Sequence, residues 1–377
     1  MRILFTRFPL VSAAGGAENQ TMWLTEELKS RGHHVRFLGS CHELLKRFHT
    51  AHLPVAKLVI GPPPVSLWTA ISFLWRKDAM QKKLIAAVEA LPEKPEAIIM
   101  LSLTEKILLT EWAVKKGMKV LWVEHDRIGR WLTKNPWLGA LKRASAFATI
   151  VCVSQLSKKM YVDLGFPEKR IVAIPNGVPR PSGENVSGVE WKTLAKVGND
   201  VKTLHIGCIA RLSPEKGIDV LIQSLTSLPE INLTVVGVGK EEGYLKSLMF
   251  EDSQRVGMQR MKLVTHIKDL EKFYASLDIF VLPSSEHDPF GLVAAEAMAR
   301  GVATIITDMC GIAGSLENGK DALIVQAGSA ASLESAVKIL LDPVVRTKIA
   351  LEGALTARTC FGISAMTDSY EQVLQTS

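Results

Sequence analysis

The sequence predicts an α/β protein built of two Rossmann-like domains that face each other across a cleft. Three observations predict it. The chain has 377 residues, more than one ordinary hydrophobic core accommodates. Short apolar, β-rich runs alternate with helical patterns, which argues for parallel sheets covered on both faces. The alternation runs twice, separated by a segment rich in Pro, Gly, Ser and Asn. In open sheets of this kind ligands bind at the carboxyl ends of the strands, so facing domains would hold a ligand between them.

The elements follow in order. "RILFT" reads as a strand, "GGAENQTMWLTEELKSRG" as a helix that stops at Gly32, and "VRFLG" as the next strand. "AIIML", "KVLWVEH", "TIVCVS" and "IVAIP" continue the first set, giving a domain over 1–180. "RPSGENVSG" and the polar stretch after it make residues 181–200 the linker. The second domain, 201–361, carries "TLHIGCIA", "INLTVVG", "MKLVTH" and "DIFVLP" with helical patterns between them. A terminal helix over about 362–377 is expected to pack back on the first domain.

Composition narrows the class. An apolar content of 47% with 22% charged residues is that of a globular protein. Five cysteines without a C-x-x-C pair read as small core residues in a reducing, cytoplasmic compartment, with neither a disulfide frame nor a zinc site. "MRILFTRFPL" is too short and interrupted for a signal peptide, and no apolar run is long enough to span a bilayer. The net charge of +7 is uneven. Residues 1–180 hold 27 Lys and Arg against 14 Asp and Glu, and the remainder hold 18 against 24. A basic half suits an anionic partner such as a membrane surface or a phosphorylated acceptor. Nucleic acid is set aside, because no binding motif appears and aromatics make up only 6%.

The stretch "SSEHDPFGLVAAEAMARG" carries the densest chemistry. It follows the strand "DIFVLP", and its helix starts near Gly291 and stops at Gly301. The first amides of a helix have no internal acceptor and favour an anion, and a glycine lets a phosphate approach the backbone closely. Asp288 precedes that helix start and Glu296 lies roughly 7 Å inside the helix. A ligand with phosphates at Gly291 and Leu292 would offer hydroxyls to both carboxylates, the layout of a sugar, a pyrophosphate and a ribose. A glycosidase also uses paired carboxylates, but it has no need of an anion-binding helix start between them. In "GCIARLSPEKGIDVLIQSL", Arg211 and Lys216 lie five apart in a strand-to-helix loop, suited to gripping a pyrophosphate. Gly15 and Gly16 follow the first strand, and "GVGKEEG" at Gly237 reads as a turn.

Taken together, "GGAE", "VSQLSKKMYVDLGFPEKRIVAIPNGV", "ARLSPEKGIDVLIQSL", "LTVVGVGKEEGYLKSL", "DLEKFYASLDIFVLPS" and "DPFGLVAAEAMARGVATIITD" resemble glycosyltransferase family 4. The pieces stand in that family's order and cover nearly the whole chain. The resemblance implies the GT-B fold and a retaining transferase that moves a sugar from a nucleotide diphosphate sugar to a glycan or lipid-linked acceptor. It further implies donor contacts from Gly15, Gly16, Arg211, Lys216, Phe290, Gly291, Leu292 and Glu296. Arg211 and Lys216 would hold the diphosphate and Glu296 the ribose. Asp288 stands where the family has its first glutamate, one methylene shorter. It and His125, at the end of "KVLWVEH", are the candidate catalytic residues, and His125 and Asp126 are candidates for positioning and proton handling. No D-x-D motif is present, so neither a metal nor another cofactor is expected. An epimerase or a sugar phosphorylase of the same fold is the alternative. "CGIAGS" departs from the family by placing Gly314 where an acid is common.

One segment leaves two readings open. Val65 to Trp75 is apolar, contains Trp68 and Trp75, and is followed by Arg76, Lys77, Lys82 and Lys83. It reads either as a buried helix of the first domain or as a helix lying in the interface of an anionic membrane, a peripheral contact at the inner face.

Overall fold

The structure is a computed structural model and describes residues 1–10, 15–181 and 203–376. The chain divides into two compact units, Met1–Gly177 with Ile363–Ser377, and Val178–Gly362. The linker expected at 181–200 lies outside the described residues except for Pro181.

The N-terminal unit is built on seven parallel strands: β1 (Arg2–Arg7), β2 (His34–Gly39), β3 (Val55–Lys57), β4 (Ala97–Met100), β5 (Lys119–Glu124), β6 (Thr149–Cys152) and β7 (Ile171–Ala173). Their order is β3-β2-β1-β4-β5-β6-β7. The strand sequence therefore reverses direction between β1 and β4, where a ligand is expected in an open sheet. Strands such as β4, "AIIM", are buried throughout because helices cover both faces. Two apolar cores result. One lies around Phe73, Trp122 and Tyr161, the other around Phe5, Phe37 and Tyr370.

The terminal helix Ile363–Thr376 belongs to this unit. Its Met366, Tyr370 and Leu374 enter the second core. Arg31 fixes it from outside, with ion pairs to Asp368 at 2.5 Å and Glu371 at 2.7 Å. The His33 ring lies 2.7 Å from Glu371, and Lys119 donates to the carbonyls of Leu374 and Gln375.

The helix Leu67–Glu89 starts from a capping box at Ser66 and Thr69. One stripe of it, Ala70, Phe73, Met80, Leu84 and Val88, is buried. Phe73 meets the Trp137 ring edge-on at 4.8 Å, and the Trp137 indole donates to the Ala70 carbonyl. The two tryptophans of the apolar run lie outside this stripe: Trp68 is 80% and Trp75 is 75% exposed. The buried-helix reading therefore holds for one face of the helix and fails for the tryptophans.

The C-terminal unit has six parallel strands: β8 (Leu204–Ile209), β9 (Ile231–Val236), β10 (Met261–Val264), β11 (Ile279–Leu282), β12 (Ala303–Thr307) and β13 (Leu323–Val325). The order is β10-β9-β8-β11-β12-β13, so the reversal falls between β8 and β11. The loops at this point are those that contain Arg211 and Lys216, and Asp288 and Gly291. The three-residue strands β3 and β13 carry no strand signal of their own in the sequence.

Candidate functional site

In the C-terminal unit, the loops after β8 and β11 are tied together at the carboxyl edge of the sheet. The Ser285 amide donates to the Glu215 carbonyl at 3.0 Å. Gly217, at φ 62°, adopts the left-handed conformation and sits so close to Pro283 that a Cβ would meet the Pro283 carbonyl oxygen at 2.2 Å. Any other residue here would force the two loops apart. The neighbouring loop after β9 joins them through the Leu212 amide, which donates to the Val238 carbonyl at 3.0 Å.

The Lys216 ammonium lies 2.6 Å from Asp288 Oδ2, and both side chains are largely buried. Asp288 also accepts from the Ser284 hydroxyl at 3.3 Å and from the Phe290 amide at 3.4 Å. Its backbone is pinned by the loop after β12: the Gly311 amide donates to the Asp288 carbonyl and the Asp288 amide to the Met309 carbonyl. This is the structural role of "CGIAGS", where Gly314 is exposed. The pair thus joins a carboxylate of one loop to a cation of the other. A phosphate arriving here would meet Lys216 already oriented.

The helix Leu292–Ala299 starts from Gly291, which stands at φ 94°, a conformation that favours glycine. The amides of Leu292 and Val293 belong to the first turn and have no acceptor within the helix. Glu296 lies one turn further in and is 9% exposed. The Tyr274 hydroxyl donates to its Oε2 at 3.0 Å. Burial pushes the Glu296 carboxyl above the usual carboxylate range, against the lowering effect of the Tyr274 bond and of Arg300. Arg300 is itself held by Glu271 and donates to the Glu296 carbonyl at 2.9 Å. Arg211 is exposed and makes no ion pair to a described residue. Lys216, Asp288, Gly291, Leu292 and Glu296 are therefore gathered on the β8 and β11 loops and the helix that follows β11.

Phe290 is different from the rest. Its ring is 3% exposed and meets Phe361 edge-on at 5.5 Å. Its carbonyl accepts from the Ile312 amide at 2.7 Å. The side chain is a core residue that anchors the loop, so the donor contact expected of it is not available to the ring.

In the N-terminal unit, His125 follows β5 directly. Both its ring nitrogens are buried and lack a hydrogen-bond partner among the described residues. Burial, with smaller contributions from Arg7 and Lys106, lowers its pKa to about 3. The imidazole is therefore neutral at physiological pH. It can donate or accept one hydrogen bond but cannot serve as a cationic acid. Buried polar atoms without partners are rare and mark strain or a missing ligand.

A charged network that sequence reasoning missed surrounds it. Lys106 donates to Glu124 at 2.8 Å and to the Val123 carbonyl, and the Tyr161 hydroxyl donates to Glu124 at 2.8 Å. Arg7 pairs with Glu18 at 2.8 Å. Glu105 closes a capping box on Ser102, and burial raises its pKa to about 7. Gly15 caps the helix Gly16–Ser30 without a side-chain bond, and Gly16 begins it. A Cβ on Gly15 would come within 3.3 Å of Glu18. Asp126 is exposed. Nothing in the spacing of Lys106, Glu124 and Tyr161 signals their meeting. Only the parallel order β1-β4-β5-β6 brings them to one edge.

Among the described residues, no group of three or more His, Cys, Asp or Glu is gathered so as to hold a metal ion.

This arrangement, two Rossmann-like units with a cationic loop and a helix start at the second sheet's reversal point, is that of the GT-B fold. Residues 14–180 match the model "Glycosyltransferase Family 4", and residues 189–349 match "Glycosyl transferases group 1". The chain belongs with the family 4-type glycosyltransferases. It is 31% identical over 182 residues to a lipopolysaccharide core biosynthesis glycosyltransferase, LpsE, of Rhizobium meliloti, covering 48% of this chain and 52% of that protein. The chain thus spans about half the length of that relative. It is 25% identical over 361 residues to a phosphatidyl-myo-inositol mannosyltransferase of Mycobacterium leprae, covering 91% of this chain and 88% of that one. In three dimensions it resembles the Anabaena protein HepE, solved in complex with UDP. The TM-score is 0.80 at 19% identity, with both chains covered in full.

Proposed function

We propose that the protein transfers a hexose from a nucleotide diphosphate sugar to a glycan or lipid-linked acceptor, with retention of configuration. The observation that carries this reading is the Lys216–Asp288 pair at 2.6 Å beside the Gly291 helix start, with the buried Glu296 one turn inside the helix. As the glycosidic bond breaks, negative charge grows on the leaving diphosphate. Lys216 and the first amides of the helix are fixed donors for that charge, and the exposed Arg211 adds a second cation. Glu296, kept in place by Tyr274, accepts from ribose hydroxyls. Asp288 lies on the sugar side of the helix start. The same cations make the diphosphate site metal-independent.

In this reading the departing diphosphate takes the acceptor's proton, which corresponds to front-face attack and retention. The neutral His125 fits a hydrogen bond to the donor sugar, not proton transfer. The likeness to LpsE favours a cell-envelope glycan as acceptor, and the UDP complex of HepE favours a uridine nucleotide. We place the reaction in the cytoplasm, at the inner face of a membrane reached through the basic N-terminal unit.

The test is a thermal-shift panel of UDP-, GDP- and ADP-sugars with EDTA present, followed by acceptor screening with the best donor. A donor at 100 times its Kd stabilises by about 2.7 kcal/mol. Nucleoside diphosphate release that requires an acceptor, with the product anomer retained by NMR, supports the reading. Release without an acceptor, or no shift with any nucleotide sugar, overturns it.

A further inference from the structure

The helix Leu67–Glu89 shows solvent an apolar face that its own core does not explain. Leu67 is 70% exposed, Trp68 80%, Ile71 39%, Leu74 54% and Trp75 75%. At 100° per residue these five fall within an arc of about 120°, turned away from the buried stripe. The other exposed large apolar residues of this unit, Leu10, Val59, Val114 and Phe147, are scattered along the chain. A contiguous apolar patch of this kind marks an interaction surface.

The net charge around it favours an anionic cover. Further along the helix, Lys82 falls within the same arc, together with the acids Asp78 and Glu89, and Lys83 lies about 60° beyond its edge; both lysines are exposed. Residues 1–180 carry a formal excess of 13 positive charges. A second copy would bring two such basic units together, and like charges oppose that. The five side chains span about 12 Å of helix. No helix of the described residues is long and apolar enough to cross a membrane.

We infer that Leu67, Trp68, Ile71, Leu74 and Trp75 seat the N-terminal unit in the interface of an anionic bilayer. The tryptophans sit at the level of the headgroups, and Lys82 and Lys83 pair with anionic lipid. This deepens the peripheral contact named above and rests on that part of the proposed function, but it needs no particular sugar or acceptor.

The experiment is cosedimentation of the full chain with vesicles of phosphatidylcholine alone and of phosphatidylcholine with increasing phosphatidylglycerol, at low and ~0.3 M salt. Three proteins are compared: the parent, W68S/W75S and K82E/K83E. Both tryptophans and both lysines are exposed, so circular dichroism and Tm should match the parent. The parent should bind in proportion to anionic lipid and weaken with salt. W68S/W75S should lose about tenfold or more in partition, and K82E/K83E at least about fivefold per lysine at low salt. A UDP thermal shift on the same samples separates the two readings. An intact UDP shift with no cosedimentation at low salt sinks the membrane face and leaves the donor site standing. Parent-like vesicle binding by W68S/W75S also sinks it. So does a concentration-dependent dimer, seen by analytical ultracentrifugation, that W68S/W75S abolishes.

Discussion

Lys216→Met removes the cation from a pair in which the lysine side chain is 17% and the Asp288 side chain 11% exposed. What remains to Asp288 is a hydroxyl at 3.3 Å and an amide at 3.4 Å, both at the long end for hydrogen bonds. Stranding a buried carboxylate costs 3–5 kcal/mol when burial is complete, and this one is partly wet, so about 2–3 kcal/mol is expected. For a unit of this size that lowers Tm by about 4–12 °C. The double variant Lys216→Met/Asp288→Asn leaves no unpaired charge and should recover most of that loss. Affinity should not follow stability. Both variants lack the phosphate cation, so UDP binding should fall by at least tenfold in each, the scale of a charged hydrogen bond of about 1.5–3 kcal/mol. Differential scanning calorimetry gives the first quantity and titration calorimetry with UDP the second. The reasoning is refuted if Lys216→Met keeps the parental Tm, or if the double variant regains UDP affinity along with stability.

Further outcomes separate the remaining roles. Arg211→Ala, an exposed position, should leave Tm unchanged and lower turnover by about 10²–10³, the scale for one charge-stabilising donor. Glu296→Gln should weaken nucleotide binding while sparing the fold, because Tyr274 can still donate to the amide oxygen. An unchanged Kd for UDP would remove Glu296 from the ribose. The pH dependence of His125 has a definite sign. Its folded pKa of about 3 lies below the ordinary value of 6.5, so the unfolded chain takes up the proton first. Stability is full above about pH 6.5 and falls as pH drops toward 3, by about 2 kcal/mol between pH 7 and 5. Denaturation of parent and His125→Phe across that range should show the parent losing that much more. Parallel curves would mean that the imidazole is not held neutral.

Much of this architecture is legible in the sequence because parallel, covered strands are nearly uniform apolar runs. "AIIM", "TIVC" and "IFVL" could be little else. The loops of the C-terminal unit are legible too, since Arg211, Lys216, Asp288 and Glu296 are polar residues at the ends of such runs. Two kinds of information stay hidden. Pairings across the sheet depend on strand order, so the contacts of Lys106 and Tyr161 with Glu124 have no sequence signature. Exposure depends on which arc of a helix meets the core: Phe73 and Trp75 stand two residues apart in one apolar run, yet one is buried and the other is bare. Phe290 shows the same limit: it stands between Asp288 and Gly291 in the loop, yet its ring turns inward to Phe361. The glycines at Gly237 and Gly239 were read as a turn. They also let the loop after β9 pack on the backbone at Ala210 and Leu212, beside Arg211.

The central claim is that the edge between β8 and β11 holds a nucleoside diphosphate, and a crystal structure of the chain with UDP tests it most directly. The account predicts phosphate oxygens within hydrogen-bond reach of the Leu292 and Val293 amides and of the Lys216 ammonium, with a ribose hydroxyl on Glu296. UDP bound elsewhere, with Glu296 still occupied only by Tyr274, would contradict it.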